Sequence, residues 1–588
     1  MAPDNQSSAD STPEPSLLAL ARKKFGALSR AEEELFLAAR EGRGASVFFT
    51  GDDAKDNPAN AANWGAERDV RAKCISWVCT DPRASALVTH RGLELYGMRI
   101  EGELDLINAE IKFPFAAWKC VFSERISLRD ARLKGFFYLM DCQLRSVGAN
   151  DAEINGSVTF RDCLQSQGEI SLVRAAIGGD LDCHDGRFSN AKGPALTANG
   201  AEIQGSVFLS DGFRAQGEVN LASARIGKHL DCSGAEFSNA KGWALTANSA
   251  KIEGGVFFRE GFKADGEVHL ASARIGQSFE CDGAQLSNPK GCALDANMAK
   301  VEGGVYLRSG FRAEGEVNLV AATMGNLQIH DILAAEQTIF DLRHAKVETF
   351  WDDEKSWPKA ENLFLDGFRY DRLHETSPFD ADSRKKWLSL QRRSRFRPQP
   401  FEQLSGVLRK MGHEPEARQM MIEKNRERAG FTHFPHQNWW WYNLFGRLIG
   451  YGYAPWRAFA LSAALILLGT FLFHLGATHD LISPTSDKAY AKAPNGQVMI
   501  ENGRQKVAGE YPVFNAFFYS LESFTPLLKL DQNANWAPNA NQGANIQLFR
   551  FWAPRTGDIL RYYLYLHIAA GWLLTSLWVG AVTGLVKT

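Results

Sequence analysis

The chain repeats itself at a fixed interval. The stretch GEVNLASARIGKHLDC begins at Gly217, GEVHLASARIGQSFEC begins 49 residues later, and GEISLVRAAIGGDLDC begins 49 residues earlier. Ala152, Ala201, Ala250 and Ala299 each open a block of the form A-x-[IV]-x-G-x-V. Within a block the pattern recurs at about half the interval, Ala201-x-Ile203 being echoed by Ala224-x-Ile226 and Val207-x-Leu209 by Leu230-x-Cys232. Short apolar alternations of period two, broken by Gly, Asn and Asp, fit strand–turn–strand coils. Two such coils per block have the size of parallel β-helix turns rather than of helical repeats. Less regular coils, such as LELYGMRIEGELDLINAEI, extend the array back to about Val88, and TIFDLRHAKVETF carries it to about Phe350.

Successive coils of a solenoid stack about 4.8 Å apart, so residues at one coil position form rows along it. Inward rows must be small or aliphatic to fill a narrow core, which accounts for Ile203, Ile226, Ile252 and Ile275. The row Cys183, Cys232 and Cys281 reads as packed thiols or as a redox or metal ladder. Its cysteines fall in alternate coils with no repeated His beside them, which favours packing. The nine cysteines include no CxxC pair and no Cys/His cluster at ligand spacing, so neither a metal nor a cofactor is expected. Outward rows are charged: Glu169, Glu218, Glu267 and Glu316; Lys192, Lys241 and Lys290; Arg214, Lys263 and Arg312. A ladder of like charges repels itself unless an opposite row lies alongside or a ligand binds it. Mutually compensating rows are one reading. The other makes these six basic residues an anion-binding face for a nucleotide or nucleic acid.

Residues 88–350 resemble bacterial pentapeptide-repeat-like β-helix proteins, in units such as AEIQGSVFL and ARIGKHLDC, although the spacing departs from a strict five-residue repeat. The resemblance implies a right-handed parallel β-helix in a mainly β fold, and no particular activity. Ahead of the array, residues 1–16 are polar and Pro/Ser-rich and read as a disordered, cytosolic start. Residues 17–87 carry helical periodicity, with a capping box at Ser29 and Glu32, and are expected to cap the open first coil.

From about Asn362 to Gly430 the pattern turns helical, and residues 351–430 read as a basic linker. A Pro-initiated helix, a break at Gly412 and a second helix with Ala417, Met421 and Ile422 near one face resemble a single tetratricopeptide-like hairpin. Thirteen Lys/Arg face five Glu between Arg384 and Arg428, a balance that reads as a topology and lipid-headgroup signal ahead of a span. The membrane module, 431–588, has apolar spans at about 456–477 and 562–588, each long enough to cross a bilayer. Arg447 and Arg457 place the side before the first span in the cytosol, and an even number of spans returns Lys587 there. Between the spans, 511–531 holds a segment too short to span and too apolar for a free loop, with a short amphipathic helix expected over Val513 to Leu521. A re-entrant or interfacial helix accounts for it.

The order of outer helix, short helix and inner helix resembles the two-transmembrane pore module of tetrameric ion channels, with Gly571, Thr575, Gly580 and Gly584 allowing the last helix to pack closely. The resemblance implies a homo-oligomer, a tetramer for preference, in the lipid bilayer of a bacterial inner membrane. No T-V-G-Y-G filter is present, and Glu522, Ser523 and Thr525 are the pore candidates. A cytosolic ligand domain on a simple pore is also similar to bacterial immune effectors that open membranes when a phage-induced messenger binds. No Walker loop, dinucleotide fingerprint or HExxH occurs, and no catalytic residue is assigned, so the chain does not read as an enzyme. Two functions follow: a β-helix sensor or spacer coupled to a multimeric pore, or a membrane-anchored scaffold whose β-helix binds a protein partner.

Overall fold

The computed structural model describes residues 16–47, 50, 53–162, 164–392, 394–431, 439–501, 504–546 and 554–583. The polar start up to residue 15, Gly584 and Lys587 lie outside the described residues. The chain divides into two compact units, Met1–His413 and Glu414–Thr588.

The first unit is a parallel β-solenoid of about twelve turns. Its register explains the long period. Ile154 pairs with Ile177, and then Ile203, Ile226, Ile252, Ile275 and Val301 follow in one ladder, at steps alternating between 23 and 26 residues. The longer coils carry an expanded corner: Leu196 follows Phe188 by eight positions, whereas Val219 follows Ala215 by four. There Asn190, Asn239 and Asn288 close the turn, each Nδ2 donating to the carbonyl of Pro194, Trp243 or Cys292 at 2.7–2.8 Å. The next coil passes under this corner on Gly217, Gly266 or Gly315, at φ of 119°, 119° and 126°. A Cβ at Gly266 or Gly315 would lie 2.4 Å from a backbone oxygen of the corner above, so the glycine that opens each GEV stretch is a steric requirement.

Inside, one row runs Cys183, Leu209, Cys232, Phe258, Cys281 and Leu307, all without measurable exposure. Thiols alternate with bulkier groups, so the cysteine row is one half of a packing pattern. Burial pushes all three thiols well above the ordinary value, with nearby carboxylates adding to the effect. The opposite wall repeats the device with Phe188, Ala215, Phe237, Ala264, Leu286 and Ala313 in register. Alternating large and small side chains fill a constant width at the density of a protein interior.

Both ends of the solenoid are covered. Helices α1 (Leu17–Phe25), α2 (Arg30–Glu41) and α3 (Ala72–Thr80) form the N-terminal cap, and the strands Ala45–Ser46 and Asp69–Arg71 pair with the first full coil. The expected capping box is present: Ser29 Oγ accepts from Glu32 N at 3.1 Å and Glu32 Oε2 from Ser29 N at 2.9 Å. At the other end the array does not stop at Phe350, and the helical pattern does not begin at Asn362. Strands Leu363–Phe364 and Arg369–Leu373 add another coil, because Leu363, Leu365, Phe368 and Tyr370 supply inward positions. Helix α4 (Ala381–Ser389) then brings Arg384 onto Asp352 at 2.8 and 2.9 Å, both fully buried, with Trp357 Nε1 donating to the same carboxylate. Helix α5 (Gln399–Lys410) covers the last coil, Gln399 and Gln403 donating to the exposed strand carbonyls of Phe368 and Tyr370.

The second unit begins with α6 (Glu414–Gly430), so the two helices of the expected hairpin fall in different units. On α6, Ala417, Met420 and Ile422 are buried, as are Lys424, Asn425 and Ala429, while Met421 is only half-buried. Helices α7 (Trp456–Thr478) and α9 (Thr556–Val582), of 23 and 27 residues, are long and apolar enough to cross a membrane. Between them lies α8 (Ala516–Phe524). It starts three residues later than Val513 because Asn515 caps it, its Oδ1 accepting from Phe517 N and Phe518 N at 3.0 and 3.1 Å. It ends at Thr525, where Pro526 disfavours a further helical residue.

Candidate functional site

The six basic candidates on the solenoid separate into two groups. Arg214, Lys263 and Arg312 stand on one strand face beside carboxylates: Arg214 and Lys263 share Glu236 at 3.3 and 3.7 Å, and Arg312 meets Glu314 at 2.5 Å. Lys263, Arg312, Glu236, Asp265 and Glu314 line a cleft of about 410 Å³ in which the charges compensate. Lys192, Lys241 and Lys290 differ. Each projects into solvent from an Asn-closed corner, and among the described residues none pairs with a carboxylate. Because the corner occurs in every second coil, these ammonium groups are spaced by two coils, roughly 10 Å.

In the glutamate row, Glu218, Glu267 and Glu316 each lie in the neighbouring coil, directly after the glycine that passes beneath this corner. Glu218 accepts from Asn220 Nδ2 at 2.9 Å, and burial raises its carboxyl above the usual range. Glu316 is raised by burial and by Asp341. Glu267 meets His269 Nδ1 at 2.9 Å, and Asp295 approaches the same nitrogen at 3.4 Å. Their ligand atoms lie within 4.8 Å of one another. Sequence spacing gave no sign of this group, because Asp295 arrives from the neighbouring coil.

In the second unit, the segment around α8 leaves and returns at one level. Tyr511 Oη donates to Asn535 O at 2.6 Å, Trp536 Nε1 to Pro512 O at 2.9 Å, and Asn515 N to Gln532 Oε1 at 3.0 Å. The chain before α8 is thus bonded to the chain after it, and 516–531 is a closed excursion. Its helix lies against both long helices. Ser520 Oγ donates to Ile466 O at 2.8 Å and sits 3.1 Å from His567 Nε2, near the midpoints of α7 and α9. Both side chains are buried, with Phe473, Phe524 and Tyr563 packed around the imidazole. A Cβ at Gly469 would lie 2.4 Å from Ser520 Oγ, and one at Gly571 would lie 1.9 Å from Phe524 O. Glycines on the two long helices therefore admit the short one, and the packing role expected of Gly571 has a defined partner. Helix α8 runs inward from Asn515, so its C-terminal carbonyls, the negative end of its dipole, end deep between the long helices.

Two of the pore candidates brace the return. Glu522 Oε2 accepts from Gln532 N and Asn533 N at 2.8 and 3.0 Å, and Ser523 Oγ donates to Asn533 Oδ1 at 2.7 Å. Thr525 is the half-buried C-cap, its N–H donating to Leu521 O. Ser520 and His567 were not singled out from sequence. A lone His in an apolar run is the signal that would have found the second, since an ionisable group in a span needs a partner.

No protein-family model, curated protein or solved structure matches this chain.

Proposed function

We propose that the protein is a membrane effector in which a cytosolic β-solenoid governs a multimeric, cation-preferring pore in a bacterial inner membrane. The observation that carries this reading is the closed excursion of α8 between two span-length helices. Its C-terminal end lies beside the midpoint of each, where oriented carbonyls favour a cation. Around a symmetry axis, four copies would bring Glu522, Ser523 and Thr525 together near the return loop. The carboxylates would then act on each passing ion. On the solenoid, the unpaired row of Lys192, Lys241 and Lys290 suits an extended polyanionic ligand, a nucleotide or nucleic acid. In that role the protein would act as a ligand-gated effector of anti-phage defence.

A second reading has one observation in its favour. Glu522 is already engaged by two backbone amides, as a brace in a membrane-anchored scaffold would be. Planar-bilayer recording of reconstituted protein, with and without cell extract as ligand source, separates the two. A pore predicts conductance, a loss of cation preference in Glu522→Gln and block or inversion in Glu522→Lys. Glutamates at Lys192, Lys241 and Lys290 should abolish the response to extract and leave insertion intact. Absence of conductance in every condition, with a monomeric particle, would establish the scaffold instead.

A further inference from the structure

Between α6 and α7 a pocket of about 300 Å³ is lined by Ile422, Arg426, Arg447, Gly450, Tyr451 and Arg457. Three guanidinium groups meet on it, and one carboxylate is near. Glu423 pairs with Arg426 at 3.2 Å, while among the described residues neither Arg447 nor Arg457 pairs with a carboxylate. Arg447 has instead an amide oxygen, Asn443 Oδ1, at 3.4 Å, and Asn443 Nδ2 is buried without an acceptor. The pocket is held in shape. Tyr451 is fully buried at φ 54°, ψ 31°, in the left-handed region, and its hydroxyl donates to Tyr442 O at 2.9 Å. Gly450, also at positive φ, leaves the space beside Ile422 and Arg457 open. A non-glycine residue rarely holds that conformation, and Tyr451 does so fully buried beside the pocket.

The position identifies the ligand. Arg457 is the second residue of α7, after an exposed Trp456, and Trp439 and Trp440 precede the pocket in the chain. Aromatic and basic residues at the head of a span mark the headgroup level. We propose that Arg447 and Arg457, flanked by Arg426, bind the phosphodiester of an anionic phospholipid from the leaflet in which α7 begins. Guanidinium forks match phosphate oxygens, and Ile422 and Tyr451 give an apolar floor. The proposal rests on the reading that α7 spans a membrane.

The test uses the full chain. Detergent-purified protein is titrated with phosphatidylglycerol, phosphatidylcholine and inorganic phosphate, with bound lipid read by native mass spectrometry, and flotation with vesicles of each lipid reports insertion. The wild type should float with both vesicle types and retain phosphatidylglycerol over phosphatidylcholine. Arg447→Gln with Arg457→Gln should lose about tenfold in that preference while still floating. Arg426→Gln, on the exposed face of α6, should cause a smaller loss and provides a variant with little folding risk. Equal retention of the two lipids, or an unchanged preference in the double variant, would overturn the lipid site alone. Displacement of the lipid by equimolar inorganic phosphate would reassign the pocket to a free anion. Failure of the wild type to float with either vesicle would overturn the spanning reading as well.

Discussion

At the scale of single residues, the N-terminal cap hangs on two buried carboxylates. Glu32 accepts from Arg71 Nε and Nη2 at 2.6 and 2.8 Å, and Asp56 from Arg68 at 2.9 Å. Burial alone would raise both carboxyls. In Glu32 the Arg71 guanidinium and the amides of Ser29 and Arg71 outweigh it, and in Asp56 Arg68 and Thr50 do, so both lie below their ordinary values of 4.5 and 3.8. A carboxyl depressed by folding stabilises above its unfolded pKa, and that stabilisation is lost as pH falls through the folded value. The cap should therefore loosen below about pH 4. Hydrogen exchange in α2 and Trp77 fluorescence between pH 6 and 2.5 will follow it, with the solenoid amides still protected when α2 is not. In Glu32→Gln the acid limb should shrink, the variant being less stable already at neutral pH. These pairings were not legible in the sequence, since Arg71 meets Glu32 across 39 residues. The capping box was, because its partners lie three apart.

At the scale of elements, α8 depends on close approach. Gly571→Ala would drive a methyl into the Phe524 carbonyl, and α8 and α9 would have to separate. Overpacking of this kind costs typically about 1–3 kcal/mol. The expected outcome is lower thermal stability of the second unit and, if α8 lines a pore as proposed, loss of conductance, with the solenoid's β signal unchanged. A variant that conducts normally would detach α8 from the proposed pore. The existence of α8 and both long helices could be read from hydropathy, because length and apolar content decide them. What Glu522 does could not. The amides it braces, Gln532 and Asn533, become its neighbours only when the excursion closes. The last coil was missed for a different reason. LFLDGFRYDRL keeps the inward apolar positions of the array and one turn glycine, Gly367, but has lost the A-x-I signature, so alternation survives where the long repeat does not.

At the scale of the whole molecule, the solenoid is a row of interchangeable parts. Each coil satisfies its backbone against two neighbours, and only the end coils need the special chemistry of Glu32 with Arg71 and of Asp352 with Arg384. The unit of exchange is set by the alternation of short and expanded corners. The glycine beneath each expanded corner must stay in phase with it. Chain length can therefore change in blocks of 49 residues and not in single coils. Deletion of residues 201–249 should give a folded protein shortened by about 10 Å. Removing 23 residues from Ala201 should place an expanded corner over a coil with no glycine to receive it, and that variant should aggregate or melt early. Circular dichroism and small-angle scattering will report both. The same rule gives the molecule a history: its middle is the kind of sequence that grows by unequal crossing-over between near-identical stretches of its own gene, a protein whose length is a copy number.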